Sequence, residues 1–121
     1  MADQGRWKPA PRAQELLGLG PLEAAVMRIV WDRRRVTVRE VYEELRRRRR
    51  TAYTTVMTTL TNLTRKGLVT RDESAVAYTY APAVADVDVA RAMLDVVIEA
   101  VMGGRVGPLA EYLRAKECTD R

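Results

Sequence analysis

The 121-residue chain contains no histidine and a single cysteine, Cys118. A histidine-based catalytic triad, an intrachain disulfide, and a cysteine or histidine metal cluster therefore cannot be assembled from one copy. No stretch approaches the roughly 18 uninterrupted apolar residues that a membrane span needs, and the opening segment MADQGRWKPAPR has no apolar signal core. These absences point to a soluble, cytoplasmic protein with no metal, no cofactor and no membrane partner. Size adds a further limit, since 121 residues hold one compact core, or one small domain with a helical appendage, and no multidomain enzyme. The acids Asp86, Asp88, Asp95 and Glu99 relate at i, i+4 only along an exposed helix face, without a nucleophile or phosphate loop beside them. Solubility accounts for them, and the chain reads as no enzyme.

Charge is unevenly spread. Residues 1–71 carry 16 Lys and Arg against 7 Asp and Glu, whereas residues 72–121 carry 5 against 9. The net +5 of the whole chain is thus the sum of a basic first part and an acidic second one. A positive field concentrated on one domain suits a polyanion partner, because neutralising phosphates supplies most non-specific affinity for DNA.

Within the basic part lies TAYTTVMTTLTNLTRKG, Thr51 to Gly67, in which seven residues are threonine. Threonine is β-branched and disfavours helix by about 0.5 kcal/mol, yet the apolar Val56, Leu60 and Leu63 fall at i, i+4, i+7, which is a helical period. Thr54, Thr58, Thr61, Asn62 and Arg65 fall on the opposite face. That face carries short hydrogen-bonding groups and methyls suited to base edges and phosphate oxygens. Threonines on a solvated helix face can equally bond back to the preceding turn, so both readings stand at this point.

Residues 1–15, with Trp7, Pro9 and Pro11, lack periodicity and read as a disordered tail. A first helix opens at Gly20 and Pro21, with Leu22, Val26, Ile29 and Val30 as its apolar stripe, closed by Trp31. A second is announced by the T-x-x-E capping box of Thr37 and Glu40 and the staple of Val36 and Val41, with Val38, Val41, Tyr42 and Leu45 as its buried face. Arg46 to Arg50 follow, five arginines that form either a solvated surface or a turn facing the phosphate backbone. Gly67 is placed to cap the threonine helix at positive φ, with Leu68 as its hydrophobic closure. Two extended segments then surround a polar turn at Asp72 to Ser74: Leu68 to Arg71, and Ala77 to Ala81 with Tyr78 and Tyr80 on one face. Three helices and a β-hairpin are the order of a winged helix-turn-helix, which places Arg71 on the wing within reach of the DNA backbone.

From Asp86 a new stripe begins, with Val87, Ala90, Leu94, Val97 and Val101 widened by Met93, Ile98 and Met102 and ended by Gly103 and Gly104. A short helix from Gly107 and Pro108 adds Leu109, Tyr112 and Leu113. This apolar surface exceeds what a small winged domain covers, so it is met either by a second copy or by an intramolecular face. The expected architecture is mainly α: a winged helix-turn-helix over residues 16–83, then a helical dimerisation region over 84–121 in which Leu94, Val97, Ile98, Val101, Leu109 and Leu113 form the contact.

The segments LGPLEAAVMRIVWD, VTVREVYEEL, AYTTVMTTLTNLTRKGLV, YTYAP and MGGRVGPLAEYL resemble the penicillinase-repressor family of bacterial winged-helix regulators, over roughly residues 16–113. The resemblance implies a homodimeric repressor of transcription on a palindromic operator, with Thr54, Thr55, Met57, Thr58 and Asn62 facing the DNA. Arg65, Arg71, Arg48, Arg49 and Arg50 complete the expected interface. The alternative is a winged helix used for protein contact in a transcription or signalling complex. The resemblance also implies a sensor protease as inactivator, cutting an Asn-Phe bond near the place of Tyr112 and Leu113. This chain contains no phenylalanine, so either the cut falls at a different bond or the signal is not proteolytic. Copper-responsive relatives carry a cysteine-rich tail, which a single Cys118 cannot supply.

Overall fold

The computed structural model describes residues 19–119, and the tail assigned to residues 1–15 lies outside them. Five helices and a three-stranded sheet follow in the order α1 (Pro21–Arg33), β1 (Val36–Thr37), α2 (Val38–Leu45), α3 (Tyr53–Arg65), β2 (Val69–Asp72), β3 (Thr79–Pro82), α4 (Asp86–Ala100) and α5 (Gly107–Thr119). This is a winged helix-turn-helix with a helical extension.

Local chemistry starts and stops these helices. Pro21 occupies the first turn of α1, and the Gly20 N–H donates to the Glu23 carboxylate at 3.3 Å. Thr37 and Glu40 form the capping box in both directions, the Glu40 N–H donating to Thr37 Oγ1 at 3.1 Å and the Thr37 N–H to Glu40 Oε1 at 2.9 Å. The threonine helix is shorter than its sequence suggests, running from Tyr53 to Arg65 behind an N-cap, Ala52, whose side chain has no oxygen to offer. Its far end closes as a Schellman turn: Gly67 has φ 82°, and the Leu68 N–H donates to the Leu63 carbonyl at 3.0 Å. Leu68 itself is fully buried.

The sheet has one strand more than the two-stranded ribbon expected. Its order is β1-β3-β2, all antiparallel, with Val36 opposite Tyr80 and Asp72 opposite Thr79. Val36 therefore serves twice, as the staple beside the α2 cap and as a strand residue. A two-residue strand has too little length to show alternation, so sequence pattern could not reveal it. The strands also sit one or two residues later than read, which leaves Tyr78 in the loop ahead of β3. Tyr80 is buried while Tyr78 is exposed, so the two tyrosines do not share a face.

One core unites these elements. It takes Val26, Met27 and Val30 from α1, Val41 from α2, Val56, Leu60 and Leu63 from α3, and Val69 and Tyr80 from the sheet. Met27 is fully buried although it lies beside the stripe read from α1, whereas Leu22, Val38 and Tyr42 are only partly buried. The core continues into α4 through Val89, with Val84 and Met93 packed against it. Trp31 fixes that junction, its indole Nε1 donating to the Val84 carbonyl at 2.9 Å. Gly103 and Gly104, at φ 60° and 88°, end the α4 segment where the sequence placed its stop.

Candidate nucleic-acid interface

The two faces of α3 are chemically distinct. Val56, Leu60 and Leu63 are fully buried against α1 and α2, and Thr54, Thr55, Met57, Thr58, Thr61 and Arg65 are exposed on the other side, with Asn62 half-buried at its margin. The six threonines of α3 divide in the same way. Thr59 Oγ1 donates to the Thr55 carbonyl and Thr64 Oγ1 to the Leu60 carbonyl, both at 2.8 Å, which is the back-bonding open to any helical threonine. Thr54, Thr55, Thr58 and Thr61 make no side-chain hydrogen bond among the described residues. Four exposed hydroxyls thus line one face with no partner among the described residues, and back-bonding explains only the two threonines that are buried or half-buried.

The arginines are sorted too. Arg46 is held by its own domain, with Nη1 3.2 Å from Glu43 Oε1 and the guanidinium 5.7 Å over the Tyr42 ring. Glu43 also takes Arg39, and Glu44 takes Arg33 at 2.7 Å. The acids of α2 are thereby used up, and the side chains of Arg47 to Arg50 have no ion-pair partner among the described residues. Their positive charge stands exposed on the turn that leads into α3.

Arg71 behaves differently. On β2 its Nε lies 2.8 Å from Glu73 Oε2 and its guanidinium 5.2 Å over the Tyr78 ring. The Tyr80 side chain foremost, with Glu73 adding, holds its pKa above the ordinary arginine value while partial burial opposes. Arg71 is charged but already partnered. Between this wing and α3 runs a groove of about 620 Å³ whose lining includes Tyr53, Met57, Arg71, Val76, Tyr78 and, from α2, Arg39. Sequence reasoning missed Tyr53 and Arg39. The signal for Tyr53 was its position one turn before Met57, which sets both on the wing side of α3.

Away from α3, the expected dimer residues fall on the far side of α4 from the core. Val89 and Ala92 face inward, Leu94, Val97 and Ile98 are half-buried, and Val87 and Val101 are exposed. On α5, Leu109 is half-buried, Tyr112 and Leu113 are exposed, and Cys118 is an exposed free thiol. No helix among the described residues is long and apolar enough to cross a membrane.

A family model described as penicillinase repressor matches residues 19–120, which takes in every element from α1 to α5. The chain belongs to the penicillinase repressor family. Two similar proteins, each named transcriptional regulator BlaI, come from Mycobacterium tuberculosis strains CDC 1551 / Oshkosh and ATCC 25618 / H37Rv. Each is 49% identical over 69 residues, 56% of this chain and 50% of the relative. The chain therefore spans half the length of the curated relatives it matches. Membership in the penicillinase repressor family accords with the winged fold and with the motif AYTTVMTTLTNLTRKGLV, whose residues form α3 and its C-terminal turn.

Proposed function

We propose that this member of the penicillinase repressor family is a transcriptional repressor of the cytoplasm, binding an inverted-repeat operator as a homodimer. Residues 16–83 bind DNA in this reading and residues 84–121 dimerise. Thr54, Thr55, Met57, Thr58 and Asn62 read bases in the major groove, with Arg65 beside them. Arg48, Arg49 and Arg50 contact phosphates, and Arg71 follows once a phosphate displaces Glu73. Leu94, Val97, Ile98, Val101, Leu109 and Leu113 meet their equivalents in a second copy, an isologous contact that gives the operator its twofold symmetry. The chemistry needs no enzymatic step.

The sorting of the threonines on α3 carries the reading. Four hydroxyls on one exposed face, next to four arginines, none of these groups with a side-chain partner among the described residues, support this reading, because short donors and acceptors suit base edges and cations suit phosphates. A mobility-shift assay tests it, using fragments of the protein's own upstream region against random DNA at physiological salt. Binding should be tighter to one upstream fragment, and Thr58→Ala should lose about 1 kcal/mol on that fragment and far less on random DNA. Equal affinity for both DNAs would leave the basic face to an acidic protein partner.

A further inference from the structure

Nine large apolar side chains are exposed among the described residues, and they gather in two places. Five belong to the helical extension from residue 87 onward, and the other four, Tyr53, Met57, Val76 and Tyr78, all line the groove between α3 and the wing. Thr61 lines it as well, so this apolar patch adjoins the threonine face. Met57 lies within α3, 45% exposed, next to Thr58 in sequence and one turn before Thr61. One turn ahead of it, the Tyr53 ring is seated edge-on to Tyr42 with centroids 5.5 Å apart, and Arg46 lies over Tyr42 in turn. Met57 is the adaptable member of the patch, with three rotatable bonds and a polarizable thioether.

Methionine has no hydrogen-bond donor and only a weak acceptor in its sulfur, whereas each threonine on this face carries a hydroxyl. Met57 therefore gains free energy from DNA by removing apolar surface from water, and little by pairing with polar edges. The major-groove edge of the base pairs presents one apolar group, the C5 methyl of thymine. Its remaining groups are donors and acceptors, which would give up water against a methionine without recovering a bond. We propose that Met57 is a specificity-determining residue that reads one thymine in each half-site through the 5-methyl group. Recognition at that position then follows the methyl and not the hydrogen-bonding pattern of the base pair, so 5-methylcytosine is accepted where cytosine is not. The inference rests on α3 entering the major groove as proposed above. It adds what the wing-side flank of the helix reads.

Selection from a random-sequence duplex DNA pool by the full chain finds the site, and each of its thymines is then replaced in turn by uracil, which pairs identically and lacks only the methyl. At one thymine per half-site uracil should lower affinity about fourfold, and 5-methylcytosine placed there should outbind cytosine by a similar factor. Met57→Ala should abolish both differences at that position alone, whereas Met57→Leu, which keeps an apolar side chain of similar size, should retain them. Circular dichroism of both variants checks that changing this exposed side chain leaves the helices formed. A Met57→Ala protein that binds every sequence more weakly with the uracil penalty unchanged would overturn the proposal, making Met57 a contact to the sugar backbone. An unchanged penalty at undiminished affinity would overturn it in favour of the threonine methyls, and so would a selected site in which no thymine is sensitive to uracil. A wild-type chain that selects no sequence at all would sink the DNA-reading role itself and the methyl contact with it, a result distinct from the previous ones.

Discussion

The Lys66 ammonium lies 3.0 Å from each carboxylate oxygen of Glu23, joining the C-cap of α3 to the first turn of α1 across 43 residues of sequence. Glu23 accepts from the Gly20 N–H as well, so one carboxylate caps α1 and anchors α3. Both ends favour the arrangement, a negative group near a helix N-terminus and a positive one near a C-terminus. The pair is partly shielded, with side-chain exposures of 18% for Glu23 and 28% for Lys66, which sets it apart from the open surface pairs of α2.

Breaking this bridge should cost about 1 kcal/mol for Lys66→Ala and somewhat more for Glu23→Gln, which weakens the α1 cap too. Urea unfolding of both single variants and the double variant measures the coupling. Strict additivity would show that the two side chains contribute independently.

Trp31 is expected to govern how firmly α4 is seated. Trp31→Phe keeps an aromatic ring but loses the 2.9 Å bond to the Val84 carbonyl, leaving a partly buried acceptor unpaired at a cost of about 1–2 kcal/mol. The Arg28 to Asp86 contact at 3.5 Å is exposed and too weak to hold the junction alone. Amide exchange should therefore accelerate in the first two turns of α4 more than in α3. Uniform acceleration would instead report a general loss of stability.

The arginines with no ion-pair partner among the described residues make a prediction about salt. Replacing Arg48, Arg49 and Arg50 by alanine should weaken binding to specific and random DNA alike and reduce the slope of log affinity against log salt by about 0.9 per lost phosphate contact. Arg46→Ala should change the slope little, because Glu43 and Tyr42 already engage it. An unaltered slope in the triple variant would return the run to a solvated turn.

The loop end of the wing has a pH signature. The Ser74 side chain and N–H hold the Asp72 carboxyl below the usual aspartate range, the N–H donating to Oδ1 at 2.9 Å, and Arg35 adds to the effect from 3.6 Å. A carboxyl whose folded pKa is lowered contributes stability that is complete above its ordinary pKa and is lost as pH falls through the lowered value. Nuclear magnetic resonance shifts of the Ser74 amide should accordingly stay flat through neutral and mildly acidic pH and move only below the usual aspartate range. Asp72→Asn should abolish that titration, and a midpoint at the ordinary value would refute the restraint.

Much of the fold was legible in the residues because its signals are local. The T-x-x-E box at Thr37, Pro21 at the start of α1 and Gly67 at the end of α3 each act within a turn of backbone, so they give the same answer in the chain and in the folded domain. The period of Val56, Leu60 and Leu63 marks the buried face of α3, and the basic surplus before residue 72 marks the half of the chain that carries it. What failed required distant partners. The strand at Val36 exists because Tyr80 lies opposite it, and Met27 is buried because α1 is surrounded over more than one stripe.

The same division runs through the candidate interface. Sequence alone determined that a threonine-rich helix beside an arginine run would show a polar face, since helical period and residue chemistry suffice for that. Which groups on that face are free was decided by the tertiary structure. Thr59 and Thr64 spend their hydroxyls on their own helix, Arg46 and Arg71 are taken by neighbouring side chains, and Arg65 turns to Asn62. These partners lie within a turn or a hairpin of the chain, but which of several local options each side chain takes depends on ångström-scale distances and angles, which the residue pattern does not state and the folded structure does.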